Sequence, residues 1–176
     1  LHLKEATTAE LIKQIQDGVL DLAVLSIPVE GSGIVMSELY REPLHLAVPK
    51  DHPLADAKSV QLRRVASERL LILKDGHCLR DESLTVCNKA RAQFSEQFEA
   101  DQFASIFALI REGFGVSIVP EMARGAAQGC HLVDFEPKAV RRIGIIRLER
   151  RYISKPMEAF TAHLREAGAK ARGSLA

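Results

Sequence analysis

The sequence has no tryptophan, only two tyrosines and only three cysteines in 176 residues. With so few aromatics it offers no platform of rings on which nucleic-acid bases could stack. It also lacks an excess of either charge: 24 Lys and Arg face 23 Asp and Glu, a formal net charge of +1. That balance gives no electrostatic reason for the chain itself to hold nucleic acid or a membrane surface. No stretch approaches the ~20 apolar residues of a membrane span. The opening "LHLKEATTAE" has neither the basic start nor the apolar core of a secretion signal, and it reads as the interior of a fold. An odd cysteine count argues against a secreted disulfide framework, so a reducing cytoplasm is the expected setting. Internal repeats and low-complexity stretches are missing too. What is there, 47% hydrophobic and 27% charged, suits one soluble globular domain or two small lobes with separate cores.

Hydrophobic periodicity places the elements. Residues 1–5 alternate like a short strand. Thr7 followed by Glu10 fits a capping box opening a helix whose Leu11, Ile12 and Ile15 share a face, and Gly18 should stop it. "LDLAVLSI" (20–27) is a near-continuous apolar run, the pattern of a buried parallel strand. Two strands, 34–40 and 43–50, are expected around a break at Arg41–Pro43. A short helix over 60–67 and a buried strand over 69–74 follow. Past the cysteine segment come a helix to about Ala92, a strand over 94–100, and a helix over 102–113 capped by Asp101 and ended by Gly113, with Phe103, Ile106, Phe107 and Ile110 on one side. Strands at 115–120, with a short helix after it, at 131–135 and at 141–149 precede a last amphipathic helix from Ser154 to Ala167, stopped by Gly168, and a frayed tail. Alternating strands and helices predict an α/β fold with mostly parallel pairing.

The chemistry-bearing stretch is "KDGHCLRDESLTVC", residues 74–87. It leaves the carboxyl end of a predicted buried strand, where open α/β sheets place their binding sites. His77 beside Cys78, with Cys87 and the distant Cys130, lacks the paired spacing of a zinc site, so neither a metal nor another cofactor is expected. Cysteine is often a small buried hydrophobe, and Cys130 and Cys87 fit that role. Cys78 has His77 and Arg80 close in sequence and a predicted helix start at Asp81. Those are the ingredients that lower a thiol pKa and make it a nucleophile. The residues alone leave both the inert and the reactive reading open. On a continuous helix, Cys78 and Cys87 would stand roughly 13 Å apart. A disulfide needs Cα atoms about 4.4–6.8 Å apart, so joining them would remodel the segment.

"LLILKDGHCLRDESLTVC" (70–87) closely resembles the redox segment of the peroxide-sensing LysR-type transcriptional regulators. The match covers both cysteines at their nine-residue spacing and the unbroken run from Gly76 to Asp81. "ELIKQIQDGVLDLAVL", "LHLAVPKDHPLA" and "REGFGVSIVPEM" resemble further family segments across the rest of the chain. The resemblance implies a periplasmic-binding-protein-like effector domain of two Rossmann-like lobes around a cleft. The expected division is 1–41 and 150–176 for lobe I and 42–149 for lobe II, with the redox segment at 75–87. The family's first strand and helix of lobe I, its linker helix and its DNA-binding helix-turn-helix have no counterpart in this sequence.

What the resemblance implies for the site follows the motif. Cys78 would be the peroxidatic cysteine and Cys87 the resolving one. His77, Arg80 and Asp81 would shape the pocket, with Thr8 of "EATT" near the peroxide and Arg141 of "RRIG" supporting it, Arg142 being an equal candidate. The implied function is a hydrogen-peroxide-sensing domain, not an enzyme, switched by a Cys78–Cys87 disulfide that cytosolic thiol reductants reset. Its implied partners are a second copy, as dimer or tetramer, and DNA reached only through the absent helix-turn-helix, with no membrane. Two rivals stand beside it: an effector domain binding a small organic anion with bystander cysteines, and a thiol peroxidase. For Thr8 the bland alternative is a helix cap, and for the arginines a solvated strand edge.

Overall fold

Thr7 opens the first helix as its spacing from Glu10 predicts. The Thr7 Oγ1 accepts the Glu10 N–H at 3.3 Å, and the Glu10 carboxylate accepts the Thr7 N–H at 3.0 Å. The structure, a computed structural model, describes residues 1–74, 94–100 and 102–174; for 94–99 and 171–174 it describes the backbone alone. Helix α1 runs Thr8–Gln16 and ends at Gly18, whose φ of 71° lets the chain turn left-handed. Strands β1 (Ala23–Ile27), β2 (Ile34–Pro49) and β3 (Ser59–Val60) follow. After a 3₁₀ turn at Leu62–Ser67 come β4 (Leu70–Leu73), β5 (Phe94–Ala100) and helix α2 (Phe103–Arg111). The rest is β6 (Ser117–Pro120), a 3₁₀ turn at Glu121–Ala126, β7 (Cys130–Phe135), β8 (Val140–Leu148) and helix α3 (Lys155–Ser174).

The chain divides into two compact units, Leu1–Glu42 with Arg141–Ala176, and Pro43–Val140. In the first, β8 lies between β1 and the leading part of β2, and Ile15 of α1 packs with Ala23, Leu25 and Ile146. The second unit pairs the trailing part of β2 with β6 and β7, and β7 with β3. Its core joins Leu46, Val48, Leu70 and Leu71 to Ile106, Phe107 and Ile110, the apolar face that the sequence assigns to α2. The second passage between units falls at Val140–Arg141, ahead of the boundary expected between 149 and 150. The reason is pairing: β8 is laddered to β1, Ala23 to Ile146 through Ile27 to Arg142, so it belongs with the first unit.

Several expectations are corrected. The described pairings are mixed: β1–β8, β2–β6 and β2–β7 are antiparallel, and β3–β7 and β4–β5 parallel. A continuous apolar run reports burial on both faces, not strand direction. Residues 1–5 alternate but form no ladder. β2 runs unbroken through Arg41–Pro43; Pro43, with no N–H to give, sits where the chain passes from one unit to the other. The short helices after 60 and after 120 are 3₁₀ turns. Ser154 does open the last helix, its Oγ accepting the Met157 N–H at 3.4 Å. Gly168 does not end it. It lies inside α3 against β2, where a Cβ would come within 3.2 Å of the Leu39 carbonyl oxygen, so the glycine serves close approach rather than termination. The position before α2 is Gln102; Asp101, proposed as its cap, lies outside the described residues, as does the helix expected up to Ala92.

Candidate functional site

All four residues of β4 are buried, as its apolar run requires. The strand is held on both sides. The Lys74 N–H donates to the Ala100 carbonyl of β5 at 3.0 Å, while the Leu71 N–H donates to the Val116 carbonyl at 2.8 Å. The buried Ser117 Oγ donates to the Leu71 carbonyl, also at 2.8 Å. Gly115 permits this approach: a Cβ there would collide with the Arg69 carbonyl oxygen. β5 is parallel to β4, so the chain between them is a crossover from the carboxyl end of one strand to the start of its neighbour. Cys78, Cys87, His77, Arg80 and Asp81 all fall in that crossover and lie outside the described residues. What is described is the frame at both of its ends.

The remaining candidates sit in the first unit. Thr8 is the first residue of α1, one past the cap. Thr7, not Thr8, satisfies the helix end, so the cap does not use the Thr8 hydroxyl, and Thr8 makes no side-chain hydrogen bond to a described residue. Glu10, locked to Thr7, is held below the usual carboxylate range by those hydrogen bonds. The two arginines of "RRIG" separate cleanly. β8 alternates, leaving Val140 and Arg142 exposed and turning Arg141 inward. The Arg141 Nε donates to Glu42 Oε2 at 2.6 Å, with the two side chains only 6% and 3% exposed. Arg142 is 43% exposed, 3.9 Å from Glu38. The Tyr40 phenol is pushed up chiefly by its burial and also by the charge of Glu42, with Arg141 opposing.

Cys130 behaves as the small hydrophobe its sequence position suggests. It is half-buried against the second core, its thiol 3.7 Å from the Phe107 carbonyl, and burial pushes its pKa up. Among the described residues, no group of three or more His, Cys, Asp or Glu could hold a metal ion, and no helix is long and apolar enough to cross a membrane. A mainly apolar cavity of about 690 Å³ in the first unit, walled by Leu3, Leu11, Val19, Leu22, Met157 and Phe160 among others, is lined by none of the candidate site residues.

Two charge clusters escaped the sequence reading. One is the Glu42–Arg141 pair, 99 positions apart in the chain. The other centres on His45, buried on β2. Its Nδ1 hydrogen-bonds Asp134 Oδ1 at 2.7 Å, across the ladder from it. Its Nε2 lies 2.7 Å from Glu121 Oε2, but the contact is not aligned as a hydrogen bond, so it is an electrostatic contact only. Arg124 grips the same Glu121 carboxylate with two bonds, at 2.5 and 2.7 Å. That grip is the main reason the Glu121 pKa is lowered, with His45 adding to it and burial opposing. The one signal in the sequence was a histidine at an inward position of the apolar run "PLHLAV".

Residues 1–169 match the family model described as the LysR substrate binding domain. A hydrogen peroxide-inducible genes activator of Pectobacterium carotovorum subsp. carotovorum is 32% identical over 150 residues, 83% of this chain and 50% of that protein. The DNA-binding transcriptional dual regulator OxyR of Escherichia coli K12 is also 32% identical over 150 residues, 83% of this chain and 49% of that protein. The chain thus spans about half the length of the curated relatives it matches. An H2O2-bound OxyR cysteine mutant from Corynebacterium glutamicum superposes with a TM-score of 0.88 at 26% identity, covering 97% of this chain and 56% of that one. With nearly its whole length matched in sequence and in fold, the chain belongs to the LysR substrate-binding domain family.

Proposed function

We propose that this domain is the hydrogen-peroxide sensor of a LysR-type transcription activator, switched by a reversible Cys78–Cys87 disulfide. The observation that carries the reading is the "GHCLRD" run with a second cysteine nine residues on, in a chain 32% identical to proteins named as hydrogen peroxide-inducible activators. The buried β4 supports it by giving the crossover a firm point of departure.

The chemistry follows from a thiolate. The Cys78 sulfur attacks one peroxide oxygen, the O–O bond breaks, and hydroxide leaves and takes a proton to become water. Sulfur has then lost two electrons and is a sulfenic acid. The Cys87 thiol gives up its proton and its thiolate attacks that sulfur; the S–O bond breaks, and the leaving hydroxide takes up a proton to become a second water as the disulfide forms. His77, Arg80 and Asp81 stabilise the thiolate and the leaving hydroxide. Thr8 offers a hydroxyl not used in capping, and the burial of Arg141, with Arg142 exposed, supports Arg141 as the arginine of the pocket. A thiol reductant of the cytoplasm resets the bond. The domain acts as a stoichiometric switch rather than an enzyme. It works as a dimer or tetramer whose repacking is passed to a helix-turn-helix domain carried elsewhere in the regulator.

The test is mass spectrometry of peptides from protein treated with stoichiometric peroxide. The expected result is a Cys78–Cys87 disulfide that is lost in Cys78→Ser, and a trapped sulfenic acid on Cys78 in Cys87→Ser. Unmodified thiols at both positions after treatment would overturn the reading.

A further inference from the structure

His45 is a buried titratable group that the peroxide chemistry does not use, and the charged groups around it all belong to the second unit. The ring sits on β2 with its side chain 5% exposed, and each of its nitrogens lies 2.7 Å from a carboxylate oxygen. β7 supplies Asp134, opposite His45 in the ladder, and the turn after β6 supplies Glu121. Arg124, from the same turn, holds both Glu121 oxygens and also feels the charge of Asp134. On β6 the residue paired with His45 is Val119, and on β3 the residue paired with Asp134 is Ser59, both uncharged.

An ionised carboxylate only accepts hydrogen bonds, so the aligned Asp134 contact places a proton on Nδ1. Without a second proton, Nε2 would turn a lone pair toward Glu121 Oε2 at 2.7 Å. That oxygen belongs to a carboxylate kept ionised chiefly by the bonds from Arg124, so it has no proton to offer. A lone pair and an anion that close repel strongly in a protein interior. With a proton on both nitrogens the ring becomes a cation, and its charge and that of Arg124 balance Asp134 and Glu121. The off-axis approach of Glu121 suits charge attraction, which needs no alignment. His52, in the same unit, shows the other case. Its Nδ1 accepts the Leu54 N–H at 3.2 Å and its Nε2 faces Glu68 at 3.3 Å, so a ring with one proton meets both partners.

We infer that His45 is a proton-dependent clasp of the second unit: the doubly protonated ring holds β7 and the Glu121–Ala126 turn to β2 together, and loss of the Nε2 proton to solvent frees the turn. The bond to Asp134 survives that loss, since Nδ1 keeps its proton. Glu121 is then left to Arg124, a residue of its own turn, which links it to no strand. The contribution of the clasp is complete below the pH of about 6.5 at which histidine titrates in an unfolded chain, and it is lost as the pH rises through the titration of the folded ring. The turn continues directly from β6, where the Val116 carbonyl and the Ser117 hydroxyl hold β4, so the clasp bears on the frame of that strand.

The experiment is hydrogen exchange followed by mass spectrometry in the natural full-length protein, at about pH 5.5 and about pH 8.5, with intrinsic exchange rates divided out. In wild type the amides of Glu121–Ala126 should be protected at least about tenfold more at the lower pH. His45→Gln should lose that ratio, its protection at the lower pH falling to near its value at the higher. Glu121→Gln should lose it too, because an amide accepts from a protonated Nε2 and donates to a bare one. Arg124→Gln leaves the carboxylate facing the ring, so it should lower protection at both pH values and keep the ratio.

A cluster that acts by packing alone gives a wild-type ratio near one, and that result overturns the inference. A wild-type ratio that survives in His45→Gln overturns it as well. A ratio lost in His45→Gln but kept in Glu121→Gln overturns Glu121 as the released partner. Should His45→Gln fail to fold, Glu121→Gln decides, since it leaves the ring and its Asp134 bond in place: a kept ratio overturns the clasp, and a ratio lost there but kept in Arg124→Gln supports it. Peroxide reactivity enters none of these outcomes, so the clasp and the sensor reading stand or fall separately.

Discussion

Breaking the Glu42–Arg141 pair should cost far more than deleting it. With the two side chains 3% and 6% exposed and Nε 2.6 Å from the carboxylate, removing one partner takes from the other an opposite charge held away from water. Glu42→Leu or Arg141→Met should each destabilise the protein by about 3–5 kcal/mol. For a chain of this size that is a fall of roughly 6–20 °C in melting temperature. The double variant Glu42→Leu/Arg141→Met fills the same space with apolar atoms and removes both charges together. It should return to within about 1 kcal/mol of wild type. Urea unfolding followed by circular dichroism, in a double-mutant cycle, measures this directly. A double variant as unstable as the sum of the singles would refute the reasoning, since it would mean that the pair contributes packing rather than mutual neutralisation.

Gly115→Ala should destabilise the second unit by about 1–3 kcal/mol, because the new methyl collides with the Arg69 carbonyl oxygen and presses on the β4 frame; thermal unfolding reads it. Glu121 is held below the ordinary glutamate value near 4.5, so its stabilising effect is complete above that pH and is lost as the pH falls through its lowered folded-state value. Glu121→Gln should therefore flatten the acid limb of a pH–stability curve, and an unchanged limb would refute the role given to Arg124. Thr7→Ala should cost about 0.5–2 kcal/mol through loss of the capping box, while Thr8→Ala, one position on, should cost less than about 0.5 kcal/mol in urea unfolding.

The elements that the sequence announced are those fixed by local rules. The α1 capping box, the left-handed glycines Gly18 and Gly113, and the apolar face of α2 depend on neighbours a few residues away, and all appear as expected. What failed depended on distant partners. Pro43 looks like a strand break when only its missing N–H is counted. It is tolerated because β2 changes neighbours there, gaining β6 and β7 from Leu44 and His45 onward. Gly168 resembles a helix stop until Leu39, far away in sequence, is seen packed against it. Strand direction was misjudged for the same reason: an apolar run such as "AVLSI" carries the burial of β1 but not the antiparallel β8 beside it.

The candidate site divides along the same line. The cysteine motif is contiguous, so the resemblance could attach an expected chemistry to it, and β4 fixes where its segment departs. The choice between Arg141 and Arg142 could not be read, because adjacent residues on a strand differ only in the face they present, and a one-residue slip exchanges those faces. The ladder separates their faces: Ile143 pairs with Ser26 and is buried, and the alternation turns Arg141 inward and Arg142 outward. Glu42 was invisible for a further reason. A carboxylate beside a proline reads as loop chemistry, and only an arginine 99 positions away turns it into the buried half of an ion pair. Buried charge is costly unless it is matched, so each inward charged residue in a sequence poses a question about an unseen partner. In this chain, answering that question for Arg141 leads to Glu42, 99 positions away and buried with it.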